Sequence, residues 1–245
     1  MNISDKTVLI TGGGSGIGFE TARLLSEKGN RVIITGRNKA RLEKAAARLT
    51  NTTAIACDIT AEADVKKLVG QVQEKFSDLS LLVNNAGTAH AYQLAAGANA
   101  FDKAAEEIST NYLSLIRLTE LLLPVLSKQK EAAIVNVSSI VVFAAGASIP
   151  TYSASKAAVH SYTQSLRHSL SKNTGIKVFE LMPPLVNTDF SKEIGGEKGI
   201  PPLEVAEGLL AGLYKDEYEI HIGGTAQLYQ LFLSSPQNAF NALNQ

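Results

Sequence analysis

Tyr152 and Lys156 stand four residues apart in a stretch patterned as a helix, which places both side chains on one face. A phenol with an ordinary pKa of about 10 exchanges protons poorly at neutral pH, and a neighbouring ammonium lowers that value by favouring phenolate. The pair is therefore a candidate proton-transfer device. The same spacing occurs on solvated helix faces, so the pair alone leaves both readings open. Ser139 tips the balance. It ends an apolar run that reads as a strand, where its hydroxyl could bond a substrate oxygen.

A second group of residues suits a phosphate-bearing ligand. Thr11 is followed by Gly12, Gly13, Gly14, Ser15, Gly16, Ile17 and Gly18, between an apolar run and an amphipathic one. Glycines let the backbone turn tightly and let a pyrophosphate approach the free amides at a helix N-terminus. A turn that merely connects strand to helix is the plain alternative, and its place at the first strand–helix junction favours a dinucleotide. The second strand of such sites commonly ends in an acid that bonds ribose hydroxyls, whereas here the corner reads Thr35, Gly36, Arg37, Asn38. No carboxylate is there to repel an extra phosphate, and the Arg37 fork pairs well with one, which favours NADP(H). Arg37 could instead be an ordinary surface arginine. Farther along, Cys57-Asp58-Ile59 and Asn84-Asn85-Ala86-Gly87 close the third and fourth apolar runs, at the sheet edge where ligands of open α/β sheets bind. Asp58 could equally open the next helix.

The elements that must position these residues follow from periodicity. Short β-branched runs predict strands at Thr7 to Thr11, Arg31 to Thr35, Thr53 to Cys57, Leu79 to Asn84, Ala132 to Ser138, Lys177 to Met182 and Tyr218 to Ile222. Amphipathic stretches predict helices near Ile17 to Lys28, Lys39 to Leu49, Ala61 to Phe76, Phe101 to Leu126, Tyr152 to Ser171 and Pro202 to Tyr214. Pro124 predicts a kink or an early helix end. Gly195, Gly196 and Gly199, followed by Pro201 and Pro202, predict a flexible loop able to act as a lid. The alternation predicts an α/β fold: a Rossmann-type, doubly wound parallel sheet of about seven strands with helices on both faces. Residues 1–245 are expected to form a single dinucleotide-binding and catalytic domain, with 225–245 as a helical tail.

Composition narrows the partners. Lys plus Arg (23) balances Asp plus Glu (23), so nothing favours a nucleic acid. Hydrophobic residues make up 45% and charged residues 19%, as in ordinary globular proteins. No leader pattern and no bilayer-length apolar stretch is evident, which predicts a cytoplasmic protein without a membrane span. The lone Cys57 reads as a small buried hydrophobe. His90, His160, His168 and His221 show no metal-ligand spacing, and no metal is expected.

Taken in order, Thr11 to Gly18, Asn84 to Gly87, the Asn of Thr110-Asn111-Tyr112, Val137-Ser138-Ser139 and Tyr152-Ser-Ala-Ser-Lys156 resemble the single-domain branch of the short-chain dehydrogenase/reductase family, from about Lys6 to Gly224. The resemblance implies that Asn111, Ser139, Tyr152 and Lys156 form a catalytic tetrad. Tyr152 would move the proton, Ser139 would hold the reacting oxygen, Lys156 would tune the tyrosine and bind the nicotinamide ribose, and Asn111 would anchor a relay water. It also implies cofactor contacts from Gly12, Gly14, Ser15, Gly16, Ile17, Gly18, Arg37, Asn38, Asp58, Ile59, Asn85, Ala86, Gly87, Tyr152, Lys156, Val186 and Thr188. One departure is Pro184, where relatives carry glycine, which puts the path of the nicotinamide loop in doubt. Another is the ending Thr225 to Gln245, whose apolar Leu228, Leu231, Phe232 and Phe240 suggest a packed helix or a subunit contact. That ending, with Ala157 to His160 and Ser165 to His168, resembles bacterial oxidoreductases encoded beside teichoic-acid D-alanylation genes.

The expectation is an NADP(H)-dependent oxidoreductase that moves a hydride between nicotinamide and a small carbonyl compound or secondary alcohol. The alternative is an NADP(H)-sensing binding protein with little turnover. The segments Thr88 to Gly97, Ile140 to Pro150 and Leu185 to Ile200 should line the substrate pocket, with Tyr92, Val141, Phe143 and Ile149 making it weakly polar. The family habit of pairing the helices that match Phe101 to Leu126 and Tyr152 to Ser171 implies a homodimer or homotetramer.

Overall fold

In the computed structural model, which describes residues 1–245, Val8 and Ile10 bury on one side of the first strand and Leu9 on the other. That alternation with no exposed side is what a sheet covered on both faces requires. The strands are β1 (Thr7–Thr11), β2 (Arg31–Gly36), β3 (Thr52–Ala56), β4 (Leu79–Asn84), β5 (Ala132–Val137), β6 (Ile176–Met182) and β7 (Glu219–His221). All neighbours pair in parallel in the order β3-β2-β1-β4-β5-β6-β7, so seven strands form the expected sheet. The order reverses between β1 and β4, and a crevice opens at their carboxyl ends.

Helices cover both faces. On one, α1 (Gly16–Glu27), α2 (Lys39–Ala46) and, farther along the chain, the helix Pro202–Lys215 place Phe19, Leu25, Leu42, Val205 and Leu209 against Val8, Ile10, Val32 and Ile34. On the other, α3 (Glu62–Lys75) and the helices Ser114–Leu126 and Pro150–Asn173 set Val65, Leu68, Leu118, Leu122 and Leu166 against Leu9, Ile33, Leu82 and Ile134.

The single helix expected from Phe101 to Leu126 is instead three pieces. These are α4 (Ala100–Glu107), a π-helical turn (Ile108–Leu113) and α5 (Ser114–Leu126). Such π turns are rare and gather at functional sites. Pro124 lies inside α5, which still runs to Leu126, the end the periodicity gives, so no early stop occurs at the proline. The helix carrying Tyr152 is α6 (Pro150–Asn173), and α7 spans Pro202–Lys215.

The glycine-rich stretch after β6 is not an open loop. Asp189–Ile194 and Gly196–Lys198 form two 3-10 turns, and Val186 pairs with Ile200 in a short parallel bridge. Beyond β7 the tail folds into α8 (Thr225–Ser234) and α9 (Pro236–Leu243), the second capped by Ser235. No helix is long and apolar enough to cross a membrane.

Candidate active site

β1 ends at Thr11 and the chain turns at once, because Gly12 adopts φ +68°, a conformation open to glycine. α1 then begins under the turn. A Cβ on Gly18 would lie 2.5 Å from the Gly12 carbonyl oxygen, so only glycine allows the helix to start so close. Ser15, the residue before α1, gives no side-chain cap, which leaves first-turn amides of α1 facing the crevice. Asn85 ties this turn to β4: its Nδ2 donates to the Thr11 and Gly12 carbonyls at 2.9 and 3.3 Å. The Thr11 hydroxyl in turn accepts from the amides of Asn85 and Ala86 at 3.0 and 2.9 Å.

β5 ends one residue earlier than expected, at Val137, and the next two residues are Ser138 and Ser139. Ser139 caps a 3-10 turn, Ile140–Val142, and lies beside the start of α6. Tyr152 and Lys156 project from the first turns of α6 on one face, with the Lys156 ammonium 5.6 Å from the Tyr152 ring centroid. Lys156 Nζ donates to the Val137 carbonyl at 2.8 Å. The π turn brings Asn111 in from behind: its Nδ2 donates to the Thr88 carbonyl (2.9 Å) and Ser155 Oγ (2.8 Å), and its Oδ1 accepts from the Thr88 amide (2.8 Å).

All four side chains are buried, and burial sets their acidities. The Lys156 ammonium is pushed down to about 8 by loss of solvent, with the negative charge of Glu180 opposing the shift. Tyr152 moves upward, opposite to the direction expected from a lysine neighbour. Burial dominates, the hydrogen-bonding Ser139 hydroxyl opposes it, and the charge of Glu107 adds to it. The site stores a neutral phenol.

A cavity of about 360 Å³ connects the two groups. Gly12, Ser15, Gly16 and Ile17 line one end, Ser139, Tyr152 and Lys156 the other, with Asn85, Ala86, Gly87, Val186 and Thr188 between. Other expected cofactor residues lie outside it. Gly14 and Asn38 border a neighbouring depression, where Asn38 caps α2 by accepting from the Arg41 amide at 2.9 Å. Gly18 sits under the turn, Arg37 is exposed at the end of β2, and Ile59 is buried against α3. The Asp58 carboxylate accepts from the Thr60 amide and hydroxyl, so it shapes the start of the β3–α3 connection.

The chain from Lys6 to Gly199 matches the family model described as short chain dehydrogenase, which is most of its length. It is a short-chain dehydrogenase. Among relatives of this dehydrogenase, DltE of Bacillus subtilis, an uncharacterized oxidoreductase, is 37% identical over 225 residues, covering 90% of this chain and 89% of that protein. An oxidoreductase of Staphylococcus saprophyticus is 34% identical, covering 89% and 95% of the two chains. In structure, a short chain dehydrogenase of Burkholderia cenocepacia in complex with NADP superposes with a TM-score of 0.86 at 27% identity, over 100% of both chains. A 3-ketoacyl-(acyl-carrier-protein) reductase of Brucella melitensis complexed with NADH gives 0.76 at 30% identity, over 86% of this chain and 91% of that one.

The dehydrogenase departs from the sequence expectations mainly at the substrate end. Val141 and Ile149 line the cavity, but Phe143 turns away to pack on His160, His221 and Tyr229, and Tyr92 bonds Thr151 at 2.8 Å outside it. No residue from Thr88 to Gly97 reaches the cavity lining. Phe190 and Ile194 of the expected segment Leu185 to Ile200 do line it, and Leu243 and Asn244 from the tail stand where Thr88 to Gly97 was expected. The Phe190 ring lies 5.9 Å from that of Tyr152. Asn244 binds the loop before α6 by accepting from the Ala147 amide (2.6 Å) and donating to the Ala145 carbonyl (2.9 Å). Nothing in the local sequence marks these contacts, since the partners lie about a hundred residues apart. Pro184 is accommodated with Val186 and Thr188 still on the cavity wall, and the Pro183 carbonyl accepts from the Ile140 amide at 2.9 Å.

Proposed function

We propose that this oxidoreductase uses NADP(H) and interconverts a small, weakly polar carbonyl compound and its secondary alcohol, with Tyr152 as the general acid/base. The observation that carries the reading is the shared cavity, with the glycine-rich turn at one end and Ser139, Tyr152 and Lys156 at the other. The turn suits a dinucleotide: glycine cradles the close approach of α1, whose free amides favour phosphate charge. The bound nicotinamide would supply or accept the hydride.

The protein's own residues do the rest. Ser139 Oγ–H donates to the substrate oxygen, and Tyr152 gives that oxygen a proton as the carbonyl is reduced, or takes it back in the reverse direction. Burial keeps the phenol neutral, the form that carries the proton to be donated. Lys156, anchored on Val137, holds positive charge beside the phenol and would bind the nicotinamide ribose. Asn111 Oδ1 and Lys156 Nζ both lie beside Gly87, 3.2 and 3.8 Å from where a Cβ there would stand, and Asn111 would anchor the water of a proton relay. The apolar share of the lining, from Val141, Ile149, Leu185, Ile194 and Leu243, supports a weakly polar substrate.

The NADP(H) preference rests on Gly36 and Arg37 at the end of β2, with Arg41, Lys44 and Arg48 adding positive charge around the adjoining depression. The solved relative holding NADP supports it, and the one holding NADH is the competing precedent. Parallel fluorescence titrations of the purified protein with NADPH and NADH test the preference. Arg37→Ala should weaken NADPH binding about tenfold and leave NADH binding unchanged, as expected for loss of one charge-assisted contact. An unchanged preference would move the phosphate contact off Arg37. We further place the enzyme in the cytoplasm as a homodimer or homotetramer, following the family habit.

A further inference from the structure

His160 lies one turn beyond Lys156 on α6, and its Nδ1 donates to Glu180 on β6 at 2.9 Å. Gln164, a further turn along, sits 3.1 Å from His160 Nε2, and the Glu180 carboxylate holds the imidazole above its usual acidity range. Glu180 is fully buried, and its other partner is the Ser138 hydroxyl, which donates to Oε1. Three consecutive residues are thus held for different purposes. The Val137 carbonyl accepts from Lys156, the Ser138 hydroxyl is taken by Glu180, and Ser139 faces the cavity.

Glu180 is a buried carboxylate whose partners are the Ser138 hydroxyl and the His160 imidazole, which its charge pushes toward the protonated form, and burying it is costly unless cations are near. Lys156 is the buried cation, and Glu180 is the charge that acts on it. The other charged and titratable groups around the network are Glu219 and Arg167 on the outer side of His160, Tyr152 beside Lys156, and His221 across Phe143.

We propose that Glu180, oriented by His160 and Ser138, is a positioning residue that holds the strand end carrying Ser139 and sustains the ammonium form of Lys156. The oxidoreductase reading gives Lys156 its role, so this inference rests on that reading for its effect on turnover but not for its effect on the lysine itself.

Glu180→Gln keeps the shape and removes the charge. Its Lys156 ammonium should be lost at a pH about one unit lower. The basic limb of the NADPH-dependent reduction profile should move down by the same amount, with little change on the acid side. His160→Asn and His160→Ala both leave the Glu180 charge in place, so the basic limb should stay near its parent position in each, and a shift there as large as that of Glu180→Gln would overturn the assignment to the Glu180 charge. A uniform loss of activity with an unmoved basic limb would mean a purely structural role and overturn the proposal.

The lysine is also read directly, by NMR titration of its ¹³Cε resonance in the protein without substrate, assigned through Lys156→Arg. A lowered Lys156 midpoint, where the parent protein itself shows no NADPH-dependent carbonyl reduction, supports Glu180 while counting against the oxidoreductase reading. An unmoved midpoint in folded Glu180→Gln overturns the role of Glu180, whatever the turnover. Should Glu180→Gln not fold, Glu180→Met, which also removes the charge, carries the same measurement, and an unmoved midpoint there is equally decisive.

Discussion

At the scale of single residues, the chemistry follows from what burial does to two opposite acids. Burial penalises whichever form is charged, so Tyr152 is driven toward phenol and Lys156 toward neutral amine. The spacing of the two residues brings them together without revealing which effect wins, because a helical register says nothing of solvent. Tyr152→Phe removes the transferable proton and keeps the ring. Under the proposed mechanism kcat/KM for carbonyl reduction should fall by about 10² to 10⁴, with NADPH affinity nearly unchanged in a fluorescence titration. Asn85 teaches a related lesson. Its place in the Asn-Asn-Ala-Gly run suggests a cofactor contact, yet its amide hydrogens are occupied by the Thr11 and Gly12 carbonyls. Its direct effect is to fix the shape of the turn.

At the scale of elements, strand and helix positions are readable because a sheet buried on both faces demands unbroken apolar runs. The π turn between α4 and α5 is not readable, since the same apolar residues would suit an uninterrupted helix. The turn nevertheless delivers Asn111 to Thr88 and Ser155. The tail was legible as apolar but not in its destination. α8 and α9 place Leu228 and Ala239 against Ile140, Val141 and Ile149, and Asn244 then grips the backbone at Ala145 and Ala147. This grip holds Gly146, Ser148 and Ile149 as cavity wall. Asn244→Ala should therefore raise KM for the carbonyl substrate about fivefold, equivalent to one net hydrogen bond of about 1 kcal/mol. Cofactor affinity should stay constant. Steady-state kinetics with each substrate varied in turn checks this, and an equal rise in both KM values would place the effect elsewhere.

At the scale of the whole molecule, the two helical layers leave some apolar surface uncovered. Phe101 on α4 is 83% exposed and Leu113 in the π turn 50% exposed, in the helical segment proposed to pair between subunits. Light scattering should give two or four times the 26.0 kDa chain mass, and Leu113→Glu should shift the population toward smaller species. A monomer in the parent protein would refute the pairing.

The sequence by itself determined the alternation of strands and helices, the glycine-rich turn at the first junction, and the residue types able to move a proton. These depend on local periodicity and on side-chain chemistry, both written into neighbouring positions. Tertiary structure decided which polar groups were spent on one another, as with Asn38 on α2 and Asp58 on Thr60, and which stayed free to face the cavity. It also decided that the tail, rather than Thr88 to Gly97, joins the expected segment Leu185 to Ile200 in closing the Tyr152 end of the cavity. Such outcomes depend on contacts between residues far apart in the chain, and on burial, which exists only once the layers have packed.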